Sequence, residues 1–278
     1  MKKGFFAPPE QPREDEPFSR GNFSCAYLWM EEVSSVEALL RELDAQSAAD
    51  PDSRYLSTLD DINQCSYTCG HVGQDDRLYL EEPGDDDEVE AVDWDDPVQV
   101  AAWEQKSLQH RVQQLSNPEV AQSWEQVCGS LCTQADDVRA LLQVNREPDQ
   151  LLDEVVYVQR IAVSGDDLKI AAQPNGYFSA DWDTFQNHAI IRHLATQHGY
   201  RFFAMGAAWM GFVRFAPPDA DQAQRLVADL RELYGKGRDE VHGHAGWAEL
   251  AQLLQERKTL MLGYTEDMAE SVGLEDSE

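Results

Sequence analysis

Long apolar runs are missing from this chain: no stretch approaches the roughly 20 consecutive apolar residues that a bilayer-spanning helix needs. Basic side chains are scarce. The 22 Lys and Arg stand against 52 Asp and Glu, a formal net charge of -30 over 278 residues. Such a balance repels nucleic-acid phosphates and anionic membrane surfaces at long range. Direct binding to either is therefore not expected, and a basic protein partner is. Cysteine is sparse and odd in number, at five, which disfavours a complete disulfide framework. Catalytic signatures are lacking too: the chain holds no G-x-S-x-G, Walker A, G-x-G-x-x-G or kinase-like motif. The acidic segment has no EF-hand ligand order, and no cofactor is expected.

Against these absences, 42% of the residues are hydrophobic, and seven Trp, nine Tyr and ten Phe are spread along the chain. That is enough apolar matter for a real core. The opening Met1-Lys2-Lys3-Gly4-Phe5-Phe6 begins like a secretory leader, but Pro8, Pro9, Glu10 and Pro12 interrupt it. Residues 1–20 are therefore expected to be a solvated, disordered tail and the protein cytoplasmic.

The patterning predicts an α+β protein, either one compact unit or two small α/β modules bridged by a helical hairpin. The divisions fall at 21–96, 97–147 and 148–262, with an acidic tail over 263–278. In the first module, Phe23 to Met30 reads as a buried strand. Ser34 with Glu37 makes a capping-box pattern before the helical spacing of Val36, Leu39, Leu40 and Leu43. Residues 55–73 give no clear signal, and Arg77 to Glu82 is a short strand candidate. Asp96-Pro97 and Asn117-Pro118 each look like a helix start, so two long helices are expected to pair. In the last module, Glu154 to Val163 reads as a strand with Leu168 to Ala172 as its hairpin partner. A helix opened by Asp181 or Asp183 is closed by Gly199. Tyr200 to Phe215 holds two paired strands, Ala223 to Leu233 an amphipathic helix, and Trp247 to Arg257 a final helix. Segments 27–43 and 213–233 echo each other as strand, turn and a helix ending in Leu-Arg-Glu-Leu.

Three constellations can carry chemistry. Cys65/Cys69 and Cys128/Cys132 are both C-x3-C pairs, and two such pairs supply four thiolates for a structural zinc. Neither sits in a knuckle context, so core packing is the favoured role. His242 and His244 form an H-x-H pair that a strand would point one way. His188, His193 and His198 recur every five residues, which scatters them around a helix in surface or capping roles. The third is the acidic run: Asp85, Asp86, Asp87, Glu88, Glu90, Asp93, Asp95 and Asp96, with Trp94 inside it as an apolar anchor. Dense carboxylates steer association with a basic protein, and a buried aromatic prolongs its residence. The expected function is a non-enzymatic acidic binding protein that inhibits or shields a basic partner. An immunity protein to a nuclease-like toxin and a nucleic-acid mimic are its two versions. The alternative is a metal-dependent enzyme, or a zinc-stabilised protein, using the His or Cys pairs.

Overall fold

The computed structural model describes residues 2–9, 16–17, 23–82, 92–266 and 268–274. In chain order the elements are β1 (Lys2–Lys3), β2 (Tyr27–Glu31), α1 (Val36–Ala49), β3 (Arg54–Ser57), α2 (Ile62–Val72), α3 (Pro97–Gln114), α4 (Trp124–Val127) and α5 (Ala135–Arg146). There follow β4 (Val155–Ile161), α6 (Thr184–His198), β5 (Arg201–Met205), β6 (Trp209–Val213), α7 (Ala220–Gly235), α8 (Asp239–His242), α9 (Gly246–Leu254) and β7 (Thr259–Gly263). The strands form one mixed sheet in the order β1-β2-β4-β3-β5-β6-β7. Of the two expected arrangements, the chain adopts the single compact α+β unit. β4, from the second half, lies antiparallel to both β2 and β3 and separates them. Among the described residues no helix is long and apolar enough to cross a membrane.

Local chemistry accounts for most element ends. Asp96 accepts from the Val98 amide ahead of Pro97 and so opens α3. Asp183 and Asp219 build capping boxes with Gln186 and Gln222 at the starts of α6 and α7. Gly199, at φ 69°, closes α6. The cap of α1 is Ser35, one residue beyond the Ser34 that the spacing suggests; its Oγ accepts from the Ala38 amide at 3.1 Å. Strand β2 is apolar on both faces. Leu28 and Met30 enter the main core, while Tyr27 and Trp29 join Phe23, Ile62, Val155 and Tyr157 in a smaller cluster.

Several elements differ from the sequence expectation. The helix expected after Asn117 is broken into α4 and α5. Between them Gly129 takes φ 78°, where a Cβ would meet the Lys236 carbonyl oxygen at 2.7 Å. The Gly129 amide donates to the Leu233 carbonyl at 2.8 Å and the Thr133 hydroxyl to the Tyr234 carbonyl at 2.6 Å. A helix leaves its last carbonyls without internal donors, and this segment satisfies those of α7 instead of continuing a helix of its own. Arg77 to Glu82 is a turn and coil, with Arg77 tied to Asp75 and Asp183. Strand β7 and the pair β3 and α2 went unrecognised in the sequence. At the start, Lys2 and Lys3 pair with Glu31 and Met30, and Ala7 is buried against Tyr27. At the end, Met268 is fully buried over Gly263, and Ser271 accepts from the Trp209 indole. Segments 27–43 and 213–233 both form strand, turn and helix, but the echo stops there. α1 leads to β3, two places away in the sheet, whereas α7 leads through α8 and α9 to the adjacent β7.

The sheet has a seam. β3 and β5 are parallel and share one registered pair, Ser57 with Ala204. Beyond it, buried side chains supply the hydrogen bonds. Gln173 Nε2 donates to the Met205 carbonyl at 2.7 Å, and Asn175 Nδ2 to the Gly206 carbonyl at 3.3 Å. The Tyr264 hydroxyl lies 2.8 and 2.7 Å from the Gly206 and Ala207 carbonyls. Lys169 Nζ reaches the Tyr55 carbonyl at 3.1 Å. Residues 166–171, which include most of the expected hairpin strand, form a 3-10 helix that delivers Lys169 to this seam and leads to Gln173 and Asn175. Asp60 completes it: Oδ2 accepts from the Ala208 amide at 2.9 Å, while Oδ1 is buried without a partner. Burial pushes the Asp60 carboxyl up to about 7, against the backbone hydrogen bonds that favour its ionised form.

Two measurements check this core. Leu230 is fully buried on α7; Leu230→Ala is expected to cost about 2–5 kcal/mol in urea unfolding, and a loss under about 0.5 kcal/mol would place that face on the surface. Because the folded-state pKa of Asp60 is raised, its stabilising contribution is complete below about pH 4 and is lost as pH rises to about 7. Asp60→Asn should remove up to about 1.4 kcal/mol of pH dependence per unit across that window. Parallel stability profiles for the two proteins would show that Asp60 ionises freely.

Candidate functional site

Helix α2 carries an exposed aromatic surface. Its N-cap Asp61 accepts from the Gln64 amide, and Ile62, Cys65, Cys69 and Val72 turn inward. The outer flank is left with Tyr67 and His71, whose rings meet edge to face at 4.5 Å. His71 stacks on Tyr177 at 4.9 Å, and Tyr177 meets Phe178 at 5.4 Å. On the other side of the helix end, a groove of about 350 Å³ is lined by Trp94, Tyr79, Trp103 and Arg111. A second groove, of about 440 Å³, runs past His71, Tyr177 and Phe178, and Gln74 borders both. Tyr67, Tyr79, Trp94, Tyr177 and Phe178 are all exposed, Trp94 by 52%.

Carboxylates frame these rings. Asp93 and Asp95 are exposed, and Asp96 is half-buried as the cap of α3. The other members of the acidic run, Asp85, Asp86, Asp87, Glu88 and Glu90, lie outside the described residues. Asp181, beside Phe178, is pushed up to about 6 by burial, against hydrogen bonds from the Glu266 and Phe178 backbone that favour its ionised form. The cations nearby are engaged. Arg77 is held by Asp75 and Asp183, and Arg111 is buried 3.9 Å from Glu104.

The four paired cysteines do not converge. Cys65 and Cys69 point into the core from α2, where Gln173 Nε2 lies 3.1 Å from Cys65 Sγ. Cys128 is half-buried and Cys132 exposed in the segment that caps α7. Burial raises the Cys25 and Cys128 thiols to about 11 and lifts Cys69 well above its ordinary value. His242 and His244 are not on a strand. His242 ends α8, facing Glu232 at 3.1 Å, and His244 Nδ1 accepts from the Gly246 amide.

A different set does converge. His193 Nε2 and His198 Nε2 lie 2.6 and 2.8 Å from the same oxygen of Asp229 on α7. Five-residue spacing scatters side chains on a continuing helix, but α6 ends at His198, and Gly199 turns the chain there. Trp124 lies flat on the His193 ring, with centroids 3.6 Å apart and planes within 7°. Burial lowers the His198 pKa despite Asp229. Asp229 is itself opposed by burial but held below its usual range by the two histidines.

A larger cavity, of about 1120 Å³, borders α1 and the residues that follow α5, and no local sequence signal marks it. Arg41, Arg146, Arg201, Arg214, Arg257 and Lys258 line it, nearly balanced by Glu37, Asp44, Glu147, Asp149 and Glu256. These residues come from five separate stretches of chain, so no local motif announces them.

Comparison of the chain with known protein families, curated proteins and solved structures finds no match. Thiol accessibility checks the cysteine placement. Cys132 is expected to react first with a disulfide reagent in the native protein, while Cys25, Cys65 and Cys69 react only on unfolding. Rapid native modification of Cys65 would contradict its burial.

Proposed function

We propose that the chain is a non-enzymatic acidic binding protein that inhibits or shields a basic partner protein. The observation that supports this most directly is Trp94, exposed on the rim of a groove and flanked by Asp93 and Asp95. Exposed aromatic rings that fill a partner's pockets dominate binding energy, whereas surrounding charges set orientation and encounter rate. Tyr79 and the Tyr177–Phe178 pair extend the apolar contact on either side of the end of α2. The net charge of -30 favours a partner with a basic groove. Nuclease-like toxins and nucleic-acid-binding proteins present such grooves, so an immunity protein and a nucleic-acid mimic are the two forms this reading takes. The large arginine-lined cavity is nearly charge-balanced and is less suited to that partner.

The test is kinetic, using a basic protein recovered with the chain from its native cells. Asp93→Asn with Asp95→Asn is expected to slow association, and more so at 0.01 M salt, where charges act unscreened out to a Debye length of about 30 Å. Trp94→Ala is expected mainly to speed dissociation. Unchanged association at low salt together with unchanged dissociation, in variants that remain folded, would remove this face from the function.

A further inference from the structure

His193, His198 and Asp229 stand apart from the aromatic face, and the proposed binding function does not use them. Their geometry is more specific than a hydrogen-bonded cluster requires. Two imidazoles that only sought an acceptor would most easily take one carboxylate oxygen each. Here both Nε2 atoms aim at Oδ2, so three donor atoms surround one point, all within 4.8 Å of one another. Among the described residues no other group of three or more His, Cys, Asp or Glu donors is gathered in this way.

The surroundings fit a metal centre. The His193 and His198 side chains are 16% and 8% exposed and that of Asp229 35%, so the ligands are shielded while one side stays open to water. The stacked Trp124 fixes the plane of the His193 ring, and the turn at Gly199 fixes the end of the helix that presents His198. Among the described residues Asp229 pairs with neither Lys nor Arg, so no fixed cation competes for its charge. Two neutral imidazoles and a carboxylate suit zinc and neighbouring divalent transition metals, and they leave a fourth position free. Bonds of about 2.0–2.1 Å at tetrahedral angles separate ligand atoms by about 3.4 Å. Against the observed 2.6 and 2.8 Å, the carboxylate therefore needs to retreat from the imidazoles by less than about 1 Å.

We propose that His193, His198 and Asp229 bind one divalent transition-metal ion, of the zinc class, with a water-accessible fourth position. This set is distinct from the cysteine pairs and from His242 and His244. The test uses the full-length chain, freed of metal with a chelator. It is titrated with Zn²⁺ by calorimetry and with Co²⁺ by absorption, in an excess of Mg²⁺ that occupies bare surface carboxylates. One ion per chain is expected, with Co²⁺ bands of low coordination number and no thiolate charge-transfer band. His198→Ala and Asp229→Ala should weaken Zn²⁺ at least tenfold, whereas Cys128→Ser and His242→Ala should leave it unchanged. As a readout that needs no variant, Zn²⁺ should shift the ring-nitrogen resonances of two of the seven histidines in the wild-type protein. The assignment is overturned by binding that Mg²⁺ abolishes or by a thiolate band. It is equally overturned by undiminished affinity in a folded His198→Ala protein, or by histidine resonances that do not respond.

Discussion

The sheet depends on a seam that backbone pairing alone does not close. Four strands on one side and three on the other meet at β3 and β5, which share a single registered pair. Past that pair the carbonyls of Met205, Gly206 and Ala207 are left without ladder donors, and a buried carbonyl without a donor is costly. Gln173, Asn175 and Tyr264 provide the donors, and Gln159 holds Gln173 in place through a 2.9 Å hydrogen bond. The side chains that serve the seam come from β4, from the segment after it, and from the residue following β7. Both halves of the chain must therefore be in position before the seam is satisfied. The arrangement carries an unusual tension in Asp60, which supports the Ala208 amide with one oxygen while the other is buried without a partner. Gly206 is required beside it, because a Cβ there would collide with Asp60 itself.

Periodicity and caps were legible where they act locally. The starts of α3, α6 and α7, the glycine end of α6 and the hairpin of β5 and β6 follow from residues within a few positions of each element. The misreadings share a physical cause, which is recruitment by distant backbone. Residues 117–138 carry helical spacing, yet Gly129 and Thr133 are used to satisfy the last carbonyls of α7, about a hundred residues away. Leu168 to Ala172 has the composition of a strand, but Lys169 is drawn to the Tyr55 carbonyl. At the candidate sites, Trp94 and its flanking carboxylates were visible as a local composition. The exposure of Tyr177 and Phe178 beside His71, the arginine-lined cavity and the meeting of His193, His198 and Asp229 arise only on folding. The histidine spacing was misleading because helical angles apply only while the helix continues, and α6 ends at the second ligand.

Charge is distributed less uniformly than its total suggests. The arginine-lined cavity gathers six of the chain's 22 basic side chains, while the face around α2 leaves its two arginines paired or buried. The protein thus presents regions of different character. A basic macromolecule approaching it meets carboxylates backed by aromatic rings on one face and a near-neutral recess at another place.

The position of β4 also has a consequence for how the chain is made. β2 and β3 emerge from the ribosome early, but they are not neighbours; the strand that fills the space between them is encoded about a hundred residues later. At ordinary synthesis rates of roughly 5–20 residues per second, two apolar strands wait about 5–20 s with unsatisfied edges. The stretch translated during that interval, between β3 and β4, includes the dense acidic run from Asp85 to Asp96, which carries neither Lys nor Arg.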